Sequence, residues 1–255
     1  DYYWVNENRT RKPFRYGDFN IGETLRDTED ARKEIADWIG TEKQRLNEKM
    51  AKECDTIVAG LYEYLAIYEP LFPKKTEFIP FPIVCDDDTP TIEFHKDGEP
   101  IKIFIGINKS RSAYKGTDIM LKAAKEVENK YPDKLKLMVV ESVPFDEYRK
   151  LMMSCDAIVD QLYSYTPSMN PLEAMSHGLI CIGGGEPENY EVLNETELRP
   201  IVNVEPTFES VYSQIENMVL HPENISTMQR QSIEYIRKHH DYIKVAKQYE
   251  KLYMK

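Results

Sequence analysis

The sequence has no hydrophobic run that approaches the roughly 20 apolar residues needed to cross a bilayer. Its first residues lack the charged, apolar and small-residue zones of a signal peptide, and no methionine precedes Asp1, which is typical of a fragment. The four cysteines (Cys54, Cys85, Cys155 and Cys181) form no CxxC pair. That pattern favours structural, buried thiols in a reducing compartment. Together these absences predict a cytoplasmic protein.

Positive charge is scarce. The sequence has 33 Lys and Arg against 44 Asp and Glu, a formal net charge of -11 and a pI of about 5.1. Such a balance argues against general nucleic-acid binding, so we expect no nucleic-acid partner. A polyanionic ligand would require a local island of positive charge on this acidic chain.

Several well-known signatures are also absent or misplaced. No Gly-x-Ser-x-Gly elbow and no cysteine–histidine signature occurs. The glycines at 183–185 are too short a run for a dinucleotide fingerprint. The acidic run at 86–88 lies in a predicted linker rather than at a strand end, and the histidines form no metal pattern. We therefore expect no metal site, and we predict that His239 and His240 are surface residues on a late, charged helix.

From Ile101 onwards, patterns typical of strands and helices alternate for about 120 residues, which predicts an α/β fold with a doubly wound parallel sheet, as in Rossmann-like domains. The strands are predicted at 101–106, 135–140, 157–162, 179–182 and 200–204, and the helices at 118–130, 145–153, 171–176, 208–219, 225–239 and 242–254. Before this region, residues 1–22 show no clear period, which predicts a loop or the edge of a domain whose beginning is absent, and 23–52 have a helical pattern. The acidic, proline-containing stretch 85–100 resembles an interdomain linker or a surface hairpin.

A basic loop separates the first strand of the predicted sheet from its helix. It contains Lys109, Arg111 and Lys115 within a strongly acidic chain. Open α/β sheets bind ligands at such strand ends, and arginine and lysine both suit phosphate oxygens. The alternative is a solvated basic loop without a ligand.

The stretch from Tyr165 to Gly178 lies between two buried strand patterns and contains a turn and a short helix. Polar Ser168 and Asn170 precede Pro171, which is well tolerated at the first position of a helix. A helix N-terminus presents free backbone N–H groups and the positive end of a dipole, so this stretch suits a phosphate. The alternative is a capping box of Asn170 and Glu173, which needs no ligand.

Three motifs carry a family resemblance: KGTD at 115–118, CDAIV at 155–159 and, most specifically, PLEAMSHG at 171–178. With them, residues 101–240 resemble the C-terminal donor-binding domain of GT-B glycosyltransferases, specifically glycosyltransferase family 4. The run FIPFPI at 78–83 resembles the interdomain crossover of that family. The resemblance implies a partial N-terminal, acceptor-side domain with the crossover at 1–84, a Rossmann-like nucleotide-sugar-binding domain at 85–240, and a helix at 241–255 that packs back on the N-terminal part.

The resemblance also implies roles for individual residues. Arg111 and Lys115 would neutralise the diphosphate of a nucleotide sugar, with Lys109 as the competitor for Arg111. The backbone around Met169 and Asn170, beside Ser168, would hold phosphate. Glu173 would bind the ribose hydroxyls.

One position departs from the family pattern. The family motif has two glutamates separated by seven residues, and counting back from Glu173 gives Tyr165. The carboxylate expected to contact the transferred sugar is therefore absent, although Tyr165 keeps its place among the candidate donor-binding residues.

The implied activity is a retaining, hexosyltransferase-type glycosyltransferase that needs neither a cofactor nor a metal. It would move a sugar from a nucleotide-diphosphate sugar to a hydroxyl of a glycan or glycolipid acceptor, as in polysaccharide biosynthesis. The implied partners are the nucleotide sugar, the acceptor and a membrane surface touched peripherally through an N-terminal domain present here only in part, so the isolated chain is expected to be inactive. Two alternatives remain open: a non-catalytic nucleotide-sugar-binding module, and a sugar-nucleotide epimerase of the same architecture.

Overall fold

The computed structural model describes residues 1–86, 88–107 and 112–254, with only the backbone described for Ser112 and Ala113. The chain divides into two compact units, residues 1–80 and 81–255. The boundary lies in the proline-containing run at 78–83. Proline there disfavours the helical conformation of its predecessor, so no helix continues across the boundary.

The first unit is built from short elements around a small aromatic core. Val5, Phe19 and Ala31 are buried there, with Trp4 and Trp38 packed against them. Strands β1 and β2 form an antiparallel hairpin, and β3 pairs with β4 in parallel. The elements are α1 (Tyr2–Thr10), β1 (Asn20–Ile21), β2 (Thr24–Leu25), α2 (Glu29–Trp38), α3 (Glu42–Glu53), β3 (Ile57–Ala59), α4 (Tyr62–Tyr68) and β4 (Thr76–Phe78).

Two expectations for the first unit are wrong. Residues 2–10 are helical, although their aromatic residues give no apolar stripe, because Asp1 accepts a hydrogen bond from the N–H of Trp4 and the Tyr3 ring packs edge-on against Phe72. The helical pattern at 23–52 is not one helix. Gly40, with φ of 75°, separates α2 from α3, and glycine adopts this left-handed conformation without steric cost.

The second unit confirms the predicted α/β fold. Its described residues form a five-stranded parallel sheet in the order β6-β5-β7-β8-β9. The elements are β5 (Ile101–Ile107), α5 (Ser112–Lys115), α6 (Thr117–Lys130), β6 (Leu135–Glu141), α7 (Phe145–Met152), β7 (Ala157–Val159), α8 (Met169–Ser176), β8 (Ile180–Gly183), α9 (Pro187–Val192), β9 (Val202–Asn203), α10 (Phe208–Leu220), α11 (Ile225–His239) and α12 (Tyr242–Tyr253).

Both faces of this sheet are covered by helices. Along β5, Ile103 and Ile105 pack into a cluster with residues of α6 and α10, whereas Phe104 packs into a cluster with residues of α7 and α8. Alternate side chains of a strand point to opposite faces, so a strand buried on both faces must be apolar throughout. This is the reason that the central strands have continuous hydrophobic runs in the sequence.

The strand order creates a switch point. β5 is the first strand of the sheet, β6 follows it on one side, and β7 lies on its other side. The connections that leave β5 and β7 therefore diverge to opposite sides, which opens a crevice beyond their carboxyl ends.

The segment 88–100 is packed against the rest of the second unit rather than forming a free hairpin. It contains neither helix nor strand. The N–H of Ile92 donates to the carbonyl of His177, and the N–H of His95 donates to the side chain of Gln229. Ile92 and His95 are both buried.

The prediction that His239 and His240 are surface residues is wrong. His240 is buried, and its Nδ1 donates to the carbonyl of Phe81. His239 is half-buried and contacts Glu195 through Nε2 at 2.5 Å, while Lys238 pairs with the same carboxylate at 2.8 Å. Burial opposes the charge of Glu195, but these hydrogen bonds outweigh it and lower the pKa of that carboxyl well below its usual value. The charged residues around these histidines suggested a surface helix, but the partners of both histidines lie far away along the chain.

Candidate functional site

The crevice beyond β5, β6 and β7 is a cleft of about 260 Å³, which we call the strand-end cleft. The ends of the strands form its floor, and the first turn of α8 forms one wall. Its lining residues are Gly106, Ile107, Lys115, Thr117, Val140, Ser142, Val143, Tyr148, Val159, Asp160 and Asn170.

Lys115 is fixed at this cleft by a tight turn. Its carbonyl accepts a hydrogen bond from the N–H of Leu162 at 2.8 Å. The next residue, Gly116, has φ of 72°, and a Cβ there would lie only 2.6 Å from the Cβ of Leu162. Glycine is therefore required for the backbone to pass so close to the chain leaving β7, and this close approach keeps the half-buried Lys115 at the cleft.

Asp160 organises the loop between β7 and α8. It follows β7 directly, and its carboxylate accepts hydrogen bonds from the N–H of Ser168 at 3.3 Å and from its Oγ at 3.0 Å. The loop is thereby closed over the end of the sheet, and α8 starts at a fixed place beside the cleft.

The start of α8 corrects the predicted capping box. Ser168, not Asn170, is the N-cap, and among the described residues no side chain caps the helix. Pro171 is accordingly the third helical residue rather than the first. The Oγ of Ser168 donates to Asp160 and accepts no hydrogen bond from the N–H groups of the helix. The N–H groups of the first turn have no acceptor within the helix, so they and the helix dipole suit an anion.

Asn170 points across the cleft to α7. Its Nδ2 donates to the hydroxyl oxygen of Tyr148 at 3.0 Å. The ring of Tyr148 packs edge-on against Phe104 and passes over Gly106, where a Cβ would lie 2.8 Å from the hydroxyl oxygen. Burial raises the pKa of Tyr148, so its hydroxyl stays protonated at neutral pH.

A larger cleft of about 660 Å³ lies on the other side of Asn170, between α7, α8 and residues 82–86 and 88–90, and we call it the α7–α8 cleft. Arg149 and Glu173 form an ion pair across it, with Nε and Oε1 3.6 Å apart. Its lining residues are Pro82, Ile83, Val84, Asp86, Asp88, Thr89, Pro90, Phe145, Arg149, Met169, Asn170, Glu173 and His177.

The predicted site residues fall into several groups. Lys115 lines the strand-end cleft, Met169 and Glu173 line the α7–α8 cleft, and Asn170 lines both. Ser168 lies between α8 and Asp160. Lys109 and Arg111 lie outside the described residues.

Tyr165 is a different case. It is 2% exposed and is not among the described lining residues of either cleft. Its carbonyl accepts from the N–H of Glu186.

Sequence reasoning missed four side chains at these clefts: Tyr148, Arg149, Asp160 and His177. Asp160 had a usable signal, because a polar residue directly after a buried strand lies at the ligand-binding edge of a parallel sheet. Tyr148 and Arg149 had none, since each meets its partner on α8 more than twenty residues further along the chain.

Within the ranges 1–86, 88–107 and 112–254, no group of three or more His, Cys, Asp or Glu side chains is arranged to hold a metal ion. In the same part of the chain, none of the helices combines the length and the apolar character that crossing a membrane requires.

No protein-family model and no curated protein sequence matches this chain. Solved structures do match. TarM from S. aureus, in complex with fondaparinux, α-GlcNAc-glycerol and UDP, superposes with a TM-score of 0.60 at 12% identity, over 83% of this chain and 46% of TarM. HepE from Anabaena, in complex with UDP and glucose, has the same TM-score and identity, over 83% of this chain and 66% of HepE.

A third match is WaaG, a glycosyltransferase involved in lipopolysaccharide biosynthesis, with a TM-score of 0.57 at 11% identity over 96% of this chain and 80% of WaaG. The fold is of the GT-B type. The predicted GT-B architecture is thus confirmed, while the assignment to family 4 stays a prediction. The chain spans about half the length of TarM and two thirds of HepE.

Proposed function

We propose that this GT-B chain carries the donor half-site of a retaining glycosyltransferase that moves a sugar from a nucleotide-diphosphate sugar to a glycan or glycolipid hydroxyl. The observation that carries the proposal is the meeting of Lys115 with the uncapped N-terminus of α8 in one cleft at the switch point of the sheet. A cation and a helix N-terminus together suit a diphosphate.

The proposed donor extends from one cleft into the other. The diphosphate lies in the strand-end cleft, against Lys115 and the N–H groups of Met169 and Asn170. The ribose lies at Glu173, one turn further along α8, where two hydroxyls donate to the carboxylate. Arg111 and Lys109 are proposed to add charge to the diphosphate. Complexes of TarM and HepE with UDP support UDP as the first nucleotide to test.

The proposed reaction depends on leaving-group stabilisation. The bond between the anomeric carbon and the diphosphate oxygen breaks, a bond to the acceptor oxygen forms on the same face, and the proton of the acceptor hydroxyl passes to the departing diphosphate. Positive groups around the diphosphate favour this step because they stabilise the negative charge that develops there. We propose no metal for this role, and an acceptor bound by a more complete N-terminal domain.

One observation favours a second candidate, a nucleotide-sugar-binding module without transfer activity. Tyr165 stands where the family pattern has its first glutamate, and it is 2% exposed. It therefore supplies no carboxylate to the transferred sugar. A sugar-nucleotide epimerase has no comparable support, and conversion of free donor to its epimer without an acceptor would reveal it.

Calorimetry against a panel of nucleoside diphosphates tests the donor site directly. We expect one of them, UDP first, to bind, and Lys115→Ala to weaken it by about 10- to 100-fold, because a charge-assisted contact to phosphate is lost. Lys125→Ala, which removes an exposed lysine of the next helix, α6, is the matched control and should bind like the wild type. If no nucleoside diphosphate binds, the donor-site assignment is wrong.

Transfer activity separates the two candidates. Sugar transfer or donor hydrolysis by a protein with a complete N-terminal domain, lost on Glu173→Ala, would support the enzyme. Tight donor binding without turnover across an acceptor panel would support the binding module.

A further inference from the structure

Glu173 is held by a chain of contacts that leads to the backbone of Pro90. The chain runs from the Pro90 carbonyl to His177, from His177 to Arg149, and from Arg149 to Glu173. From this geometry we propose that Arg149 is a positioning residue that presents Glu173 to the ribose. The proposal rests on the proposed function, since it concerns the same carboxylate.

The first link fixes the tautomer of His177. Its Nδ1 lies 2.5 Å from the carbonyl oxygen of Pro90. A carbonyl only accepts, so Nδ1 carries the proton and Nε2 is left as an acceptor. The carbonyl of His177 also accepts from the N–H of Ile92, and the residue is 2% exposed. His177 is therefore a rigid, buried acceptor anchored at both its ring and its backbone.

The second link uses that acceptor. The guanidinium of Arg149 approaches Nε2 of His177 to 3.3 Å through one terminal nitrogen, while its Nε faces Oε1 of Glu173 at 3.6 Å. Arginine presents its donors in a planar fork, so contact with a fixed histidine sets the direction of the remaining donors. The buried His177 thus orients Arg149, and Arg149 in turn orients the more accessible carboxylate of Glu173.

The pair itself contributes little to folding stability. Both side chains are more than a third exposed, at 46% for Arg149 and 39% for Glu173, and exposed ion pairs are weakened by solvent. Its effect is expected in ligand binding. A glutamate fixed at one oxygen keeps the other free for the ribose hydroxyls, and an unrestrained one must lose rotamer freedom when the ligand binds.

The test is the preference for UDP over 2′,3′-dideoxy-UDP, measured by calorimetry, because the dideoxy ligand has nothing to donate to Glu173. If another base binds better in the panel, the matching ribo and dideoxy pair is used. We expect the wild type to prefer UDP at least about tenfold, and Arg149→Ala to reduce that preference by about three- to tenfold. Arg149→Met, which keeps the aliphatic stem, should behave in the same way.

Two controls complete the design. Lys150→Ala removes the exposed cation next in sequence on α7 and should leave the preference unchanged. In a Glu173→Ala background the preference should be nearly lost, and adding Arg149→Ala should change nothing further, because the two residues act as a unit. Thermal melting of each variant should stay close to that of the wild type.

Several results would overturn the inference. An unchanged preference in both Arg149 variants would show that Glu173 needs no positioning, and the proposed donor site would still stand. Equal weakening of both ligands would show that Arg149 contacts the base or the phosphates instead. If the wild type binds no nucleoside diphosphate, the proposed function fails and this inference fails with it.

Discussion

Strand β7 begins directly after Asp156 and ends directly before Asp160, so one short strand has a carboxylate at each end. The two are equally buried, at 7% and 8% exposed. Asp156, at the amino end, accepts from the N–H of Lys102 at 2.7 Å and from Gln229 at 3.2 Å, and faces His95 at 3.5 Å. Asp160, at the carboxyl end, bonds to Ser168 and lines the strand-end cleft.

The comparison teaches that burial alone does not separate a structural carboxylate from one at a binding site. The location on the sheet does. At the amino ends of these strands Asp156 joins β5, α11 and the segment 88–100, whereas at the carboxyl ends the connections diverge and leave a cleft. Substitutions around Asp156 should therefore change stability, and those around Asp160 should change ligand affinity.

The largest effect on stability is expected at Gly184, where the loop that follows β7 closely approaches the chain leaving β8. A Cβ at Gly184 would lie inside van der Waals contact of the Ser164 carbonyl, which is backbone and has little freedom to move. We expect Gly184→Ala to destabilise the protein by about 3–4 kcal/mol in urea unfolding. Gly98→Ala is the matched control: its φ is 86°, but nothing lies within 4 Å, so only backbone strain of about 1 kcal/mol is added. Equal losses for both variants would contradict the close approach.

The second prediction concerns His240, which is buried like Asp156 and is likewise expected to affect stability. Burial lowers its pKa from 6.5 to about 4. Between these values the unfolded chain binds the additional proton, so stability falls as pH drops from about 6.5 to 4 and is fully present above that window. The loss should approach about 3 kcal/mol. Urea unfolding at several pH values should show a flatter profile for His240→Asn, and parallel profiles would show that the histidine titrates normally.

The third prediction makes the same substitution at both ends of β7. Asp156→Asn should cost about 2–3 kcal/mol, because the new amide donor faces donors that need an acceptor, and it should leave UDP affinity unchanged. Asp160→Asn keeps its oxygen for the N–H of Ser168 and turns its amide towards the Oγ, which can accept as well as donate, so it should cost about 1 kcal/mol or less. It should strengthen UDP binding about threefold by removing a negative charge from the cleft. Unfolding and calorimetry on both variants test this, and matching results for the two would erase the contrast.

The smallest effect is expected at Tyr148. Tyr148→Phe keeps the packing on Phe104 and removes the acceptor of Asn170, so we expect a loss of about 1 kcal/mol or less. UDP affinity should change more than stability does, since Asn170 lines both clefts. If the hydrogen bond between Asn170 and Tyr148 links the two side chains, adding Asn170→Ala to Tyr148→Phe should cause no further loss of stability.

The parallel sheet was predictable because its evidence is local. The strand at 101–106 and the helix at 118–130 follow from hydrophobic periodicity, and both lie within a residue of their observed bounds. The start of α8 was not predictable in this way. The sequence favoured Asn170 as the capping residue, but the helix begins after Ser168, whose hydroxyl donates to Asp160 in a contact that exists only after the strand and the loop have come together.

The residues of the candidate site divide in the same way, into those that local motifs indicate and those that only folding brings together. Glu173 and Lys115 stand in recognisable motifs and Asn170 directly precedes one, so the resemblance made them candidate site residues. Arg149 and His177 are ordinary residues of a charged helix and a helix end, and their connection to Glu173 depends on the packing of α7 against α8. Only the folded chain brings them to one carboxylate.

The four free cysteines differ in accessibility, which allows selective labelling of one of them. Burial raises the pKa of Cys85 and of Cys155 to about 11, and it also raises the pKa of Cys181, which is wholly enclosed in the sheet, well above its ordinary value. Cys54, at the end of α3, is half-buried. A maleimide dye should therefore label the first unit at a single position while the second unit stays unmodified, which gives a fluorescent reporter of the first unit that leaves both clefts untouched.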